Sequence, residues 1–324
     1  MLSKKSNFFS AITTLIFVLG TLSSCKQPTK KNKATPEATP FFKLSLAQWS
    51  MHRMIKSGKV SPYTFAEKAK AWGFEGLEYV NNLYPDVMKS DNKPQALAAF
   101  IAKSNEKAKE HGMKNVLIMI DSEGDLASSD AAVREQAIEN HKQWIDAAEK
   151  MGCIAVRLNL HGESDKKRWV TNSIASLTEL SNYAAPKNIN VIVENHGRLS
   201  SNAKLLMEVI NGVNLDNCGT LPDFGNFCMS EGYGSLRGNN CDDPYDPYLG
   251  VKEMMPKAFG VSAKSYDFDT YGNESNLNFN TLLKIVKDSG YMGFIGVEYE
   301  GSELSEEEGI AATRALLLKI AKEL

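Results

Sequence analysis

Short apolar runs recur along this sequence, and charged or amide side chains collect at their ends. Gln48 and Trp49 close the first run, with His52 just beyond; Glu78 sits in the second, ahead of Asn81 and Asn82. Asp121 and Glu123 follow the third, and Arg157, Asn159 and His161 mark the fourth. Glu194-Asn195-His196 closes the fifth and Asp223-Phe224-Gly225-Asn226 the sixth. Ser262, Lys264 and Asp267 belong to the seventh, Glu298 and Glu300 to the eighth. Carboxylates and imidazoles are the side chains that move protons near neutral pH, and carboxylates also suit hard divalent cations. A lone carboxylate after a strand is most often a helix N-cap, which is the expectation for Asp121 and Glu123. His111 and His141 fall in helical stretches and receive no role. The remaining groups need a joint explanation. If the run ends converge on one axis, a ligand, a metal or a dense hydrogen-bond network must satisfy them, because burying them alone is costly.

The elements that must position these groups emerge from periodicity. The runs are Lys43–Trp49, Gly76–Val80, Asn115–Ile120, Ile154–Leu160, Asn190–Glu194, Cys218–Pro222, Phe259–Lys264 and Phe294–Tyr299. Near-continuous apolar runs of this length fit buried parallel strands. Helical spacing fills the gaps. Ser61-Pro62 opens one helix, Asp130 opens another that Gly152 ends, and further stretches cover Asn172–Ala185, Asn202–Ile210, Asn278–Lys287 and Glu306–Glu323. Eight alternations predict an α/β fold, a single-domain (β/α)8 barrel. A doubly wound open sheet is the alternative, but LSLAQWSMHR lacks the Gly-rich phosphate turn expected after its first strand. In a barrel, chemistry belongs at the C-terminal strand ends, where the polar groups lie.

VIVENH (191–196), LPDFGN (221–226), GVSAK (260–264) and YMGFIGVEYE (291–300) together resemble the xylose isomerase-like TIM barrel superfamily, and within it the sugar phosphate isomerase/epimerase group. The resemblance spans about residues 43–320 and rests on the order and spacing of the motifs. It implies a divalent metal, Mn²⁺ or Mg²⁺, held by Glu194, Asp223 and Glu298. The family's fourth ligand is a His two residues before a Lys; here that position is Ser262, before Lys264. Serine is a poor ligand. Water, His196 or Asn226 then completes the set, or Lys264 supplies the positive charge in place of the metal. Glu298 is expected to face the axis, with Glu300 leaving the strand.

The implied reaction is sugar or keto-sugar isomerisation or epimerisation. A proton is removed beside a carbonyl, a metal-stabilised enediolate forms, and the proton returns. Glu194 and Glu298 are the implied acid/base pair. Trp49, Arg157, Asn159, His161, His196, Asn226 and Lys264 are the implied substrate-binding groups, with Arg157, His196 and Lys264 orienting hydroxyls or steadying an oxyanion. Phe224–Lys257 is a long non-periodic stretch, of a kind more often functional than incidental. Its Tyr233, Tyr245 and Tyr248 either stack on sugar rings or pack the loop. Two alternatives share the implied partner, a small carbohydrate. One is a lyase or dehydratase on keto-glycosides or keto-sugars, using the same enolate. The other is a non-catalytic carbohydrate-binding lipoprotein. A retaining glycosidase is disfavoured, because strands four and seven offer no carboxylate pair.

The 324 residues are 43% hydrophobic and 23% charged, ordinary for a globular protein. A formal charge of -2 gives no cationic excess for holding nucleic acid. Lys4 and Lys5 precede an apolar run from Phe8 to Leu22, shorter than the ~20 residues a spanning helix needs. With Leu22-Ser23-Ser24-Cys25 this reads as a lipoprotein signal over residues 1–24, lipidated at Cys25. Residues 25–40 read as a tether and 41–324 as the barrel. The expected location is exported and membrane-anchored, with membrane contact through the lipid alone. Export permits disulfides. Cys228 and Cys241 flank a Gly- and Asn-rich segment, but Cys153, Cys218, Cys228 and Cys241 allow three complete pairings.

Overall fold

The computed structural model describes residues 40–324. The signal, the lipidation position Cys25 and the tether up to residue 39 lie outside the described residues. The strands are β1 (Lys43–Ala47), β2 (Gly76–Val80), β3 (Lys114–Met119), β4 (Ala155–Leu158), β5 (Asn190–Glu194), β6 (Cys218–Leu221), β7 (Val261–Ser265) and β8 (Phe294–Tyr299). All pair in parallel, in the order β6-β5-β4-β3-β2-β1-β8-β7. The seam between β6 and β7 is held by two isolated parallel bridges, Thr220 with Ala258 and Asp223 with Ser262. The result is a nearly closed (β/α)8 barrel.

Several helices start at a side-chain cap. Asp130 caps Ala131–Met151 by accepting from Ala132 N and Val133 N, and Gly152 ends that helix. Asn202 and Asn278 cap Ala203–Val213 and Phe279–Asp288. Ser305 and Glu308 make a reciprocal capping box at the start of Glu306–Glu323. One helix begins earlier than its periodicity suggests. Asp165 accepts from Arg168 N, so Lys166–Ala184 starts ahead of Asn172. Lys93–Glu110, which the apolar spacing does not mark, is capped by Asn92 and carries Pro94 in its first turn. Among the described residues, no helix is long and apolar enough to cross a membrane.

The helices cover the outside of the barrel with apolar side chains such as Phe100, Trp144, Leu206 and Leu282. The inside departs from the usual Val, Ile and Leu filling. Ser45, Glu78, Arg157, Glu194, Ser262, Lys264 and Glu298 are all buried, and they are polar or charged.

The stretch after β6 is ordered by its own backbone. Cys228 N donates to Gly234 O, Met229 N to Asp243 O, and Tyr245 N to Phe227 O. Cys228 and Cys241 form a disulfide, 13 residues apart in sequence. Cys153 and Cys218 are buried free thiols. Closing a loop of this length is worth about 3 kcal/mol by the chain-entropy account. The Cys228→Ser/Cys241→Ser double variant is therefore expected to lose about 2–3 kcal/mol in urea unfolding. Wild-type protein under reductant should show the same loss, and no loss in either would show that the bridge does not order the loop.

Candidate active site

The seam between β6 and β7 is also the centre of the polar cluster. Asp223 leaves β6 and is clamped by Asn195, whose side chain donates to Asp223 O (3.0 Å) and accepts from Asp223 N (2.8 Å). Ser262, opposite on β7, donates to Asp223 Oδ2 at 2.5 Å. Glu194, at the end of β5, accepts from Asn226 Nδ2 at 2.9 Å. Glu298 on β8 lies 3.0 Å from Ser262 Oγ through Oε2. One carboxylate oxygen from each of Glu194, Asp223 and Glu298 lies within 4.8 Å of the others, and all three residues are buried. Lys264 Nζ stands among them, 3.4 Å from Glu298, 3.9 Å from Asp223 and 3.2 Å from Glu300.

The cluster is short of positive charge, and its protonation shows it. Ser262 has a single hydroxyl proton but two short carboxylate contacts. That proton is shared between Asp223 and Glu298, which leaves the repulsion of the two carboxylates only partly relieved. Burial, then Glu194 and Glu300, outweigh Lys264 and push the Glu298 carboxyl up to about 7. Burial and the charges of Glu194 and Glu298 hold Asp223 well above the usual carboxylate range. Burial alone would strip Lys264 of its proton, but Asp223, Glu298, Glu300 and Glu194 reverse this and keep it an ammonium.

A second polar group joins from β3 and β4. Arg157 Nη1 donates to Asp121 Oδ1 at 2.7 Å and to Asn159 Oδ1 at 3.3 Å, and Asn159 Nδ2 donates to Asp121 Oδ1 at 2.9 Å. Arg157 Nε is 2.7 Å from Glu194 Oε2, close for an ion pair but with its N–H off line, so that oxygen has no hydrogen bond. Burial would raise Asp121, but the charge of Arg157 overrides it and holds the carboxyl low. Asp121 is thus not a helix cap. Asn81 clamps its backbone from both sides, as Asn195 clamps Asp223. Glu123 is not a cap either; it accepts from Lys93 Nζ and Trp144 Nε1, each at 2.6 Å, on the helix side of the barrel.

Glu300 corrects another expectation. It does not leave the site: it accepts from Trp49 Nε1 and pairs with Lys264. Residues two apart on a strand share a face, and the sharing persists past the last paired residue. Gln48 turns away to Val80 N and the Tyr84 hydroxyl. His196 lies beside the cluster, its ring 6.2 Å from that of His161 and 5.5 Å from that of Tyr233. Burial, with Arg157 and Lys264 nearby, pushes His196 down to about 3, and its Nδ1 is buried without a partner. Tyr245 and Tyr248 hold the loop, through Glu253 and Asn278 N, whereas Tyr233 stays exposed.

Glu78 lies inside the barrel. It accepts from Ser45 Oγ at 2.5 Å, and its other oxygen has no partner. Gly296 makes room for it, since a Cβ there would meet Glu78 Oε2 at 2.4 Å. Burial pushes Glu78 up to about 8.

The residues present fit a hard divalent ion. Three buried carboxylates converge, Glu194 Oε2 has no hydrogen bond, and the acids outnumber Arg157 and Lys264. All-oxygen donors suit Mg²⁺ or Mn²⁺. Lys264 already neutralises part of the charge and Ser262 adds only a neutral hydroxyl, so binding should be weaker than with a fourth imidazole.

The family described as Xylose isomerase-like TIM barrel matches residues 66–320. The chain belongs to the xylose isomerase-like TIM barrel family. Its fold is similar to that of an L-ribulose 3-epimerase, with a TM-score of 0.65, 16% identity, and coverage of 87% of this chain and 96% of that one. A xylose isomerase-like barrel from Mycobacterium smegmatis, solved in complex with magnesium, matches with a TM-score of 0.60, 17% identity, and coverage of 88% and 99%. A C-glycoside deglycosidase alpha subunit from Arthrobacter globiformis is 34% identical over 61 residues. That match covers 18% of this chain and spans only 17% of the relative's length.

Two measurements check the electrostatics. Between the ordinary glutamate value and about 8, folded Glu78 holds a proton that the unfolded chain has released. Stability should therefore fall as pH rises from about 5 to about 8. Glu78→Gln should flatten this fall in Tm and raise Tm at the alkaline end; an unchanged slope would count against a buried neutral Glu78. Separately, Mn²⁺ should raise the Tm of the wild type and EDTA reverse it, while Asp223→Asn removes the shift. A shift that survives in Asp223→Asn would place the ion elsewhere.

Proposed function

We propose that this protein acts on a sugar or keto-sugar by removing a proton beside its carbonyl, as an isomerase or epimerase. The observation that carries the reading is the convergence of Glu194, Asp223 and Glu298 at the C-terminal mouth of the barrel, with the Lys264 ammonium alongside. Glu298, held near neutrality, is fitted both to accept and to return a proton at physiological pH. Glu194 presents a carboxylate oxygen within 4.8 Å of one from Glu298, so both acids can reach the same bound substrate. A divalent ion held by Glu194, Asp223 and Glu298 would supply Lewis-acid stabilisation of the enediolate. Arg157 and Lys264 add fixed positive charge where negative charge develops, in a site shielded from water. Neutral His196 offers a ring nitrogen to a substrate hydroxyl. The reading includes an exported chain anchored by lipid at Cys25, where free sugars and glycosides are the available substrates.

A second reading is favoured by the likeness to the C-glycoside deglycosidase subunit. The same enolate expels a group at the β position: the bond to the leaving group breaks, a carbon–carbon double bond forms, and the leaving group takes a proton. The lyase and the isomerase share the first proton transfer and differ in the fate of the enolate.

Deuterium incorporation tests both. Residues 41–324 are incubated in D2O with Mn²⁺ and a pool of free sugars, glycosides and 3-keto-glycosides, then analysed by mass spectrometry. Deuterium beside a carbonyl with unchanged composition indicates the isomerase, and loss of a leaving group indicates the lyase. Glu194→Gln and Glu298→Gln should lower exchange by about 10²–10⁴-fold, while Glu123→Gln keeps it. Full activity in Glu194→Gln would sink the mechanism, and sugar binding without exchange would make the protein a carbohydrate-binding one.

A further inference from the structure

Beside the acid cluster a cleft of about 880 Å³ opens between three segments. His161 comes from the segment after β4, Arg198 and Asn202 from the turn after β5, and Tyr233 from the disulfide-closed loop. His196 stands between the cleft and the mouth: its ring lies 6.2 Å from that of His161 and 5.5 Å from that of Tyr233, both of which line the cleft, and it follows Glu194 of the acid cluster by two residues. Pockets of ~300–1,000 Å³ enclose ligands of several fused or linked rings. A monosaccharide at the acid cluster leaves this space unused.

The walls are built, not incidental. Gly197 has φ 90°, and a Cβ there would lie 2.2 Å from Gly232 O, so the disulfide-closed loop rests directly on the turn after β5. Arg198 adopts φ 49°, a left-handed conformation that strains a non-glycine residue. Among the described residues, no carboxylate pairs with its guanidinium. Asn202 spends its side-chain oxygen on capping Leu205 N, which leaves the amide N–H groups as donors. Tyr233 is 73% exposed at the cleft edge, a ring with one apolar face uncovered. Donors for hydroxyls beside an open aromatic face are what a hydroxylated ring requires.

We propose that this cleft is a second-ring subsite, holding the group attached to the reacting sugar, so that the substrate is a glycoside of two rings and not a free monosaccharide. The proposal rests on the sugar reading above, and names its substrate class. Tyr233 covers one face of the second ring, and Arg198 and Asn202 donate to its hydroxyls or ring oxygen. His196 stands at the junction of the two rings.

Calorimetric titration tests it, with the methyl and p-nitrophenyl glucosides of both anomers, maltose and cellobiose, and the 3-keto derivatives of each. Two-ring probes of the preferred anomer should bind wild-type protein at least about tenfold tighter than the matching methyl glycoside. Tyr233→Ala and Arg198→Ala should each remove most of that advantage and leave methyl glycoside affinity unchanged. Both residues are exposed, so neither change threatens folding. Equal affinity for one- and two-ring probes overturns the subsite and leaves the sugar reading standing. An advantage that survives both variants also overturns it. If no probe of either size binds, the sugar reading falls and takes the subsite with it.

Discussion

Mutual repulsion among buried carboxylates is the constraint around which this barrel is arranged. Glu194, Asp223 and Glu298, with the partly exposed Glu300 beside them, crowd one end of a low-dielectric interior, and among the described residues Lys264 and Arg157 are the cations that oppose them. At this density not all the acids can be ionised together. The structure answers with a lysine ammonium, a serine hydroxyl shared between two acids, and proton affinities of Asp223 and Glu298 raised by burial. Each answer is also a chemical capability. A carboxyl near neutrality can take and return a proton, and a cluster short of positive charge attracts a divalent ion.

Such a cluster keeps its geometry only if its backbone cannot relax. The clamps supply that rigidity. Asn195 reads both backbone groups of Asp223, and Asn81 does the same for Asp121, so two strand ends are each locked by a side chain from the strand before. Asn226 and Arg157 then fix Glu194 from opposite sides. The polar character extends deeper than the mouth. Glu78 and Ser45 occupy the interior at Gly296, where a branched aliphatic layer is usual. Burial of Glu78, with one carboxyl oxygen lacking a partner, favours its neutral form.

Much of this was legible in the sequence because the signals are local. Apolar runs of strand length, separated by capped amphipathic stretches, are readable within a few residues, and Asp130, Asn202 and Asn278 cap helices where their side-chain chemistry places them. Among the many polar residues at the strand ends, the family resemblance singled out Glu194, Asp223 and Glu298. The misplaced side chains share one cause, a partner far away in sequence. Asp121 looks in sequence like any N-cap aspartate, and only Arg157, 36 positions away, makes it a site residue. Glu300 looks like a residue leaving its strand until Trp49, 251 positions away, reaches it. The helix at Lys93–Glu110 escaped because its exposed face is rich in alanine and lysine, which blurs the apolar stripe.

The sequence by itself determined the strands, most of the helices, the polar strand ends and the family, since each rests on residue type and short-range spacing. The tertiary structure alone decided which polar groups meet. Closure between β6 and β7 sets Ser262 against Asp223, and the β7–β8 register sets Lys264 against Glu298. It also decided that Cys228 pairs with Cys241 while Cys153 and Cys218 stay free thiols, and laid that loop on Gly197 to wall a cleft. These contacts depend on long-range registers that no local window contains, because a shift of one residue would turn every one of these side chains to the other face.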